Sequence, residues 1–137
     1  TASAPLQVGG SPGAEVYDAA FGDFTQGSYT LAREGFQEFL SRYPDSDLAD
    51  NAAYWMGETW YAQGNHREAL TRFEGVLRQH PDGDIIPAAL LKASNCHLEL
   101  GRRDQAIEGY RRLLREHPDS DEAFIARHKL EEAGAAP

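Results

Sequence analysis

The most informative stretch of the chain is residues 51–81, NAAYWMGETWYAQGNHREALTRFEGVLRQHP. Apolar and aromatic side chains recur every three or four residues on both sides of Gly64-Asn65. This spacing predicts two amphipathic helices joined by a tight turn. Pro81 ends the second helix, because the residue before a proline is disfavoured in the helical conformation. The stretch therefore predicts a helical hairpin.

The same pattern occurs three times along the chain. Gly27, Gly64 and Gly101 are 37 residues apart (64 − 27 and 101 − 64). Four further sets share this spacing: Ala32, Ala69 and Ala106; Phe36, Phe73 and Tyr110; Leu40, Leu77 and Leu114; Pro44, Pro81 and Pro118. A repeat of this length is typical of a solenoid, in which each hairpin buries its apolar face against the next. The sequence predicts an all-α superhelix of seven helices without strands.

Composition excludes several functional classes. The net charge of −9 argues against nucleic-acid binding and against binding to anionic membranes, because both require clustered Lys and Arg. Long apolar runs are absent from the sequence, so no membrane insertion is expected. The single cysteine, Cys96, cannot form a disulfide within the chain.

The repeats divide the chain into segments. Residues 1–13 are rich in Gly, Pro and Ser and are predicted to form a flexible linker, which implies a longer parent protein. The repeats are expected at about 14–44, 45–81 and 82–118, followed by a cap helix at 119–133 and a disordered tail at 134–137. The cap helix is predicted to turn Phe124, Ile125 and Leu130 towards the core.

A Pro-Asp-x-Asp phrase follows each repeat, beginning at Pro44, Pro81 and Pro118. Its aspartates are predicted to cap the next helix, because side-chain oxygens accept hydrogen bonds from the free N–H groups at a helix start. This reading also accounts for much of the acidic content without acid–base catalysis.

The spacing within each unit resembles the tetratricopeptide repeat. In the second unit the matching residues are Gly57, Gly64, Ala69, Phe73 and Pro81. Each unit is about three residues longer than the usual ~34. The extra residues lie between the proline and the next helix, and we expect them to lengthen the first helix of each unit by nearly one turn.

A finer resemblance is to the carboxy-terminal domain of the Tol–Pal-associated YbgF/CpoB family. It covers about residues 14–133 and includes the 37-residue unit and the phrase Tyr54-Trp55-x-Gly57-Glu58. The resemblance implies a periplasmic protein that binds TolA and coordinates outer-membrane constriction with septal peptidoglycan synthesis by a class A penicillin-binding protein. It also implies an amino-terminal trimerising coiled coil, so the present chain is expected to be monomeric and the full-length protein trimeric.

In such repeats the first helix of each unit lines a concave groove. Transferring the groove positions of the resemblance predicts a surface for a partner peptide or helix. Aromatic side chains suit this role because they bury a large area at low entropic cost. About half of them are expected to serve only packing, with Tyr54 and Trp55 as the leading contact candidates. The predicted groove consists of Tyr17, Phe21, Phe24, Asn51, Tyr54, Trp55, Glu58, Tyr61, Leu91, Lys92, Asn95 and Leu98.

Other kinds of site are disfavoured. A clamp for a terminal carboxylate needs Lys and Asn from the first two units, and only Lys92 could serve. The five histidines lack the spacing of a zinc site, and no catalytic or nucleotide-binding motif is present. No metal, cofactor or enzymatic activity is expected. An alternative function is a scaffold of outer-membrane protein assembly that works through its convex face or its terminal helix, near Phe124, like the repeat lipoprotein of barrel assembly.

Overall fold

A computed structural model describes residues 11–137. Within them the chain forms seven helices and no strand, which confirms the predicted all-α class. Most of the predicted linker, residues 1–10, lies outside the described range. The helices are α1 (Ala14–Thr25), α2 (Tyr29–Arg42), α3 (Ala49–Ala62), α4 (His66–Gln79), α5 (Ile86–Glu99), α6 (Arg103–Glu116) and α7 (Asp121–Glu132).

Consecutive helices pack against one another and form two layers. The first helices of the units also touch along the chain, with α1 against α3 and α5 against α7, so α1, α3, α5 and α7 form the inner layer. The second helices, α2, α4 and α6, form the outer layer. Gly27, Gly64 and Gly101 turn the chain from inner to outer helix with φ of 83°, 80° and 76°, a conformation that side chains with a Cβ rarely adopt.

The repeated aromatic and alanine positions form the core. Phe36, Phe73 and Tyr110 are buried, as are the repeated alanines before them. Close helix crossings require small residues on one of the two facing helices. A Cβ on Gly57 would lie 2.6 Å from the Phe73 ring, and one on Gly109 would lie 2.0 Å from Ser94 Oγ.

Two predictions about the helix starts were wrong. The inner helices α3 and α5 have 14 residues, the same length as the outer helices α4 and α6, so the extra residues do not lengthen them. They form the connecting turns instead. The aspartates of these turns do not cap α3 or α5. Among the helices that follow a Pro-Asp-x-Asp phrase, only α7 has a side-chain cap, which Ser120 provides by accepting a 3.0 Å hydrogen bond from Ala123 N–H.

The cap helix α7 packs differently from the prediction. It buries Ala123, Ala126 and Leu130, whereas Phe124 and Ile125 remain 62% and 42% exposed. Ala123 and Ala126 therefore let α7 lie close to α6, while Phe124 and Ile125 face away from the core.

Residues 134–137, which the sequence predicted to be a disordered tail, contact α6 in the structure. Arg111 Nε donates a 3.0 Å hydrogen bond to the Ala136 carbonyl, and Arg103 donates to the Ala133 carbonyl. Ala135 packs against the core beside α6. The tail is held in place because α6 supplies arginine donors for carbonyls that follow the helix end. Within residues 11–137 no helix combines the length and the hydropathy that crossing a membrane requires.

Candidate functional site

The predicted groove residues separate into a buried base and an accessible surface. Tyr17 belongs to the base: it is 0% exposed and its ring packs edge-on against Phe36 and Phe39, with centroids 5.6 and 5.7 Å away. The placement of Tyr17 in the groove was therefore wrong. Its position on α1 faces α2, just as the equivalent Tyr54 on α3 packs against Phe73 on α4, with centroids 5.5 Å apart.

An aromatic cluster joins the first two units. The Trp55 ring lies 4.9 Å from the Phe21 ring and 5.1 Å from the Phe24 ring, centroid to centroid, and 5.3 Å from that of Tyr54. Trp55, Tyr54 and Phe21 are buried, whereas Phe24 is half-buried. The cluster fixes α1 against α3, so packing is an established role of these rings.

A polar centre lies between the second and third units. Glu58 Oε1 is 3.4 Å from Lys92 Nζ, and the Tyr54 hydroxyl donates a 3.2 Å hydrogen bond to Glu58 Oε2. The Lys92 ammonium lies 4.4 Å from the centre of the Tyr61 ring. We call Tyr54, Glu58, Tyr61 and Lys92 the polar centre.

Burial shapes the ionisation of the polar centre. It raises the pKa of the Glu58 carboxyl, and the positive charge of Lys92 opposes that rise. Burial also raises the pKa of Tyr54, with the negative charge of Glu58 adding to the shift. Tyr54 therefore stays a neutral hydrogen-bond donor. The Glu58 carboxylate depends on a nearby cation to remain charged.

The remaining predicted residues lie around this centre. Asn95 accepts a 2.6 Å hydrogen bond from the Tyr110 hydroxyl, an outer-layer partner that the sequence pattern did not indicate. Leu91 is buried in the core, and Leu98 is 39% exposed. Asn51 lines a different feature, a cleft of about 820 Å³ that the connecting turns form together with Tyr43 and Pro44. The accessible groove thus runs from Phe24 through Tyr61 to Leu98.

His97 is the residue of the third unit that corresponds to Trp60. Its Nδ1 atom is buried and lacks a hydrogen-bond partner within the described part of the chain, and its Nε2 atom lies 3.8 Å from Glu74 Oε2. Burial lowers the pKa of His97 more than the negative charge of Glu74 raises it. His97 is thus held in its neutral form.

We expect the free energy of unfolding to fall as the pH drops below about 6.5, the pKa of histidine in an unfolded chain. The unfolded state then binds a proton at His97 more readily than the native state does, so acid favours unfolding. Thermal melts between about pH 8 and pH 5 should show that His97→Gln loses less stability on acidification than the unchanged protein does. His128→Gln is the matched control, since that side chain is 59% exposed. Equal acid sensitivity in both variants would contradict the assignment.

Residues 11–137 contain no group of three or more His, Cys, Asp or Glu side chains placed to hold a metal ion. The lone Cys96 is buried, and burial raises the pKa of its thiol to about 12, so the thiol stays protonated and unreactive. The accessible groove therefore offers aromatic, aliphatic and carboxylate contacts of the kind that bind a peptide segment.

Two family models match the chain. The tetratricopeptide-repeat model covers residues 61–130, and the YfiO model, described as an outer membrane lipoprotein, covers residues 11–84. Each covers just over half of the 137 residues. The two ranges overlap in the second unit.

Two individual proteins also resemble part of the chain. Two Pseudomonas putida proteins, each named Cell division coordinator CpoB, are 48% identical over 42 residues, which cover 31% of this chain and 16% of those proteins. The match therefore spans a small part of the relatives. Together with the outer membrane lipoprotein match, it points to a protein of the cell envelope.

A solved structure gives the same fold. The crystal structure of a tetratricopeptide repeat protein from Parabacteroides merdae ATCC 43184 superposes with a TM-score of 0.71. It is 22% identical in sequence, and the alignment covers 87% of this chain and 47% of that one. Because these matches and the observed hairpins agree, the chain belongs to the tetratricopeptide-repeat family, whose fold generally serves as a scaffold for protein interactions.

Proposed function

We propose that the chain is a periplasmic interaction module that binds a segment of TolA in its concave groove. In this role it would couple outer-membrane constriction to septal peptidoglycan synthesis by a class A penicillin-binding protein. The observation that carries the proposal is the 48% identity over 42 residues with the Cell division coordinator CpoB. The accessible groove supplies a surface suited to such a partner.

The groove proposal depends on accessible side chains. Leu98 on α5 is 39% exposed, Tyr61 on α3 is half-buried, and the two occupy equivalent repeat positions 37 residues apart. Phe24 is the third member of this row, at the same interval from Tyr61. An apolar row of this kind, broken by the polar centre, suits a partner segment with apolar side chains at regular spacing.

Calorimetry with the periplasmic part of TolA tests the proposal. We expect saturable binding that Leu98→Ala weakens by about tenfold, the effect of losing a central apolar contact of roughly 1.4 kcal/mol. Leu31→Ala is the matched control, because Leu31 is 54% exposed on the outer helix α2. Trp55→Ala would be a poor probe, since Trp55 is buried and its loss would disturb the core.

Each negative result has a distinct meaning. If TolA binds and neither leucine variant weakens the binding, TolA is a partner but the groove is not the contact surface. If TolA does not bind, TolA is excluded as the partner, and the interaction module would need a different partner.

A second candidate function is a scaffold of outer-membrane protein assembly. The match of residues 11–84 to the outer membrane lipoprotein model favours it. A scaffold that works through its convex face predicts that Leu31→Ala, rather than Leu98→Ala, weakens partner binding. The same pair of variants therefore separates the two functions.

A further inference from the structure

Charge is divided between the two layers of the superhelix. The inner helices α1, α3 and α5 carry one lysine, Lys92, and no arginine, and the inner cap helix α7 carries Arg127 and Lys129 beside four acidic residues. The outer helices α2, α4 and α6 carry nine arginines and seven acidic residues. The six acidic residues of the three inner helices are Glu15, Asp18, Asp23, Asp50, Glu58 and Glu99.

Carboxylates of α3, α5 and α7 influence the groove tyrosines, and Glu58 accepts a hydrogen bond from the Tyr54 hydroxyl. Besides burial and Glu58, the negative charge of Glu122 raises the pKa of Tyr54. Burial raises the pKa of Tyr61, and Glu99 and Glu58 add to that rise. The six acidic residues of α1, α3 and α5 outnumber their single lysine, and this excess of negative charge favours a cationic partner.

The polar centre has the composition of a site for an ammonium or guanidinium group. The Glu58 carboxylate supplies the counter-charge, the Tyr61 ring supplies a π face, and the Tyr54 hydroxyl orients the carboxylate. In the structure, the Lys92 ammonium of the same chain occupies this site. The Lys92 side chain is 27% exposed and unbranched, so its end can move into solvent without disturbing α5.

We propose that the groove binds an amphipathic partner segment bearing Lys or Arg, whose cationic side chain replaces the Lys92 ammonium between Glu58 and Tyr61. The inference rests on the groove being the binding surface, as proposed above, and it adds the chemical class of the partner. An acidic segment fits poorly, because the Glu58 carboxylate would repel it and because Lys92, the cation beside Glu58, is already paired.

The exchange also explains how a partly buried carboxylate can serve binding. The Glu58 side chain is only 13% exposed, and leaving it unpaired would be costly. Lys92 keeps it paired in the free protein, and the partner's cation keeps it paired in the complex. The carboxylate therefore never has to face the groove without a counter-charge.

Three synthetic peptides with the same leucine positions and Lys, Glu or Gln at their polar positions test the inference. Fluorescence anisotropy of the whole chain with each peptide should show saturable binding for the Lys peptide and much weaker binding for the other two. The affinity should fall as salt rises, because added ions screen the exposed part of the interaction. A chain that binds none of the peptides, or prefers the Glu peptide, would overturn the proposal.

Variants of the polar centre locate the contact. Glu58→Gln should weaken binding of the Lys peptide by about tenfold, as expected for losing a charge-assisted contact. Lys92→Met should leave binding as tight or tighter, because the competing internal cation is gone. Glu108→Gln is the matched control, since Glu108 is an exposed outer-layer carboxylate. Weaker binding in Lys92→Met, or equal effects of Glu58→Gln and Glu108→Gln, would overturn the proposal whether or not TolA binds.

Discussion

Replacing Tyr17 by alanine is expected to lower the free energy of unfolding by about 3–5 kcal/mol, the range for deleting a fully buried aromatic ring. The ring is enclosed by Phe36 and Phe39, and its removal leaves a cavity between α1 and α2 that the neighbouring rings cannot fill. Urea unfolding followed by circular dichroism measures the change. If Tyr17 lined the groove, as the sequence predicted, its replacement by alanine would lower the free energy of unfolding far less.

Tyr17→Phe provides the control for this prediction. The Tyr17 hydroxyl is buried and has no hydrogen-bond partner of good geometry within the described range, although it lies beside the Trp55 indole. Burial raises the pKa of Tyr17 to about 12, so the group stays protonated. Deleting it should be neutral or stabilise the fold by up to about 1 kcal/mol. A large loss in Tyr17→Phe would show that the hydroxyl is satisfied in solution.

Replacing Gly109 by alanine is expected to cost about 1–3 kcal/mol of stability through overpacking. The added Cβ would lie 2.0 Å from Ser94 Oγ and 3.0 Å from Ser94 Cβ, and Ser94 is held by a 2.8 Å hydrogen bond to the Leu90 carbonyl. The steric conflict should be relieved when Ser94 is replaced by glycine. We therefore expect Ser94→Gly with Gly109→Ala to be more stable than the sum of the single changes, by about 1 kcal/mol.

Gly75→Ala is the matched control for the glycine prediction. Gly75 also lies within an outer helix, but an added Cβ there meets only the end of Arg78, at 4.0 Å. The substitution should stabilise the protein by about 0.5–1 kcal/mol, because alanine favours the helix over glycine. If Gly75→Ala and Gly109→Ala have the same effect, the close crossing of α5 and α6 is not limiting.

In every unit the inner and outer helices cross closely, but the small residue that permits the crossing lies on different helices in different units. In the second unit the small residue is Gly57 on the inner helix, which faces the Phe73 ring. In the first and third units the inner helix carries Ala20 or Ser94, and the outer helix supplies Gly35 or Gly109 opposite. The close approach is preserved although its residues change places between the helices.

The difference in charge between the layers supports the proposed preference of the groove for a cationic partner. The groove and the outer face are built from alternating helices of one chain, yet their charges differ, and the polar centre contains Glu58, whose side chain is only 13% exposed. A partner can therefore be selected by its charge pattern as well as by its apolar spacing. This selectivity is a property of the assembled layers.

Local sequence is sufficient to predict the helical class, the 37-residue unit and the hairpin turns, because each depends on local spacing and on residues such as Gly64 and Pro81. It also placed Tyr54, Glu58 and Lys92 on the inner helices. Tertiary structure alone decided which inner side chains remain accessible, burying Tyr17 and leaving Leu98 exposed. Helical periodicity gives the face of a helix, but burial depends on how neighbouring helices cover that face. The pairing of Glu58 with Lys92 likewise depends on the angle between α3 and α5, which no local pattern encodes.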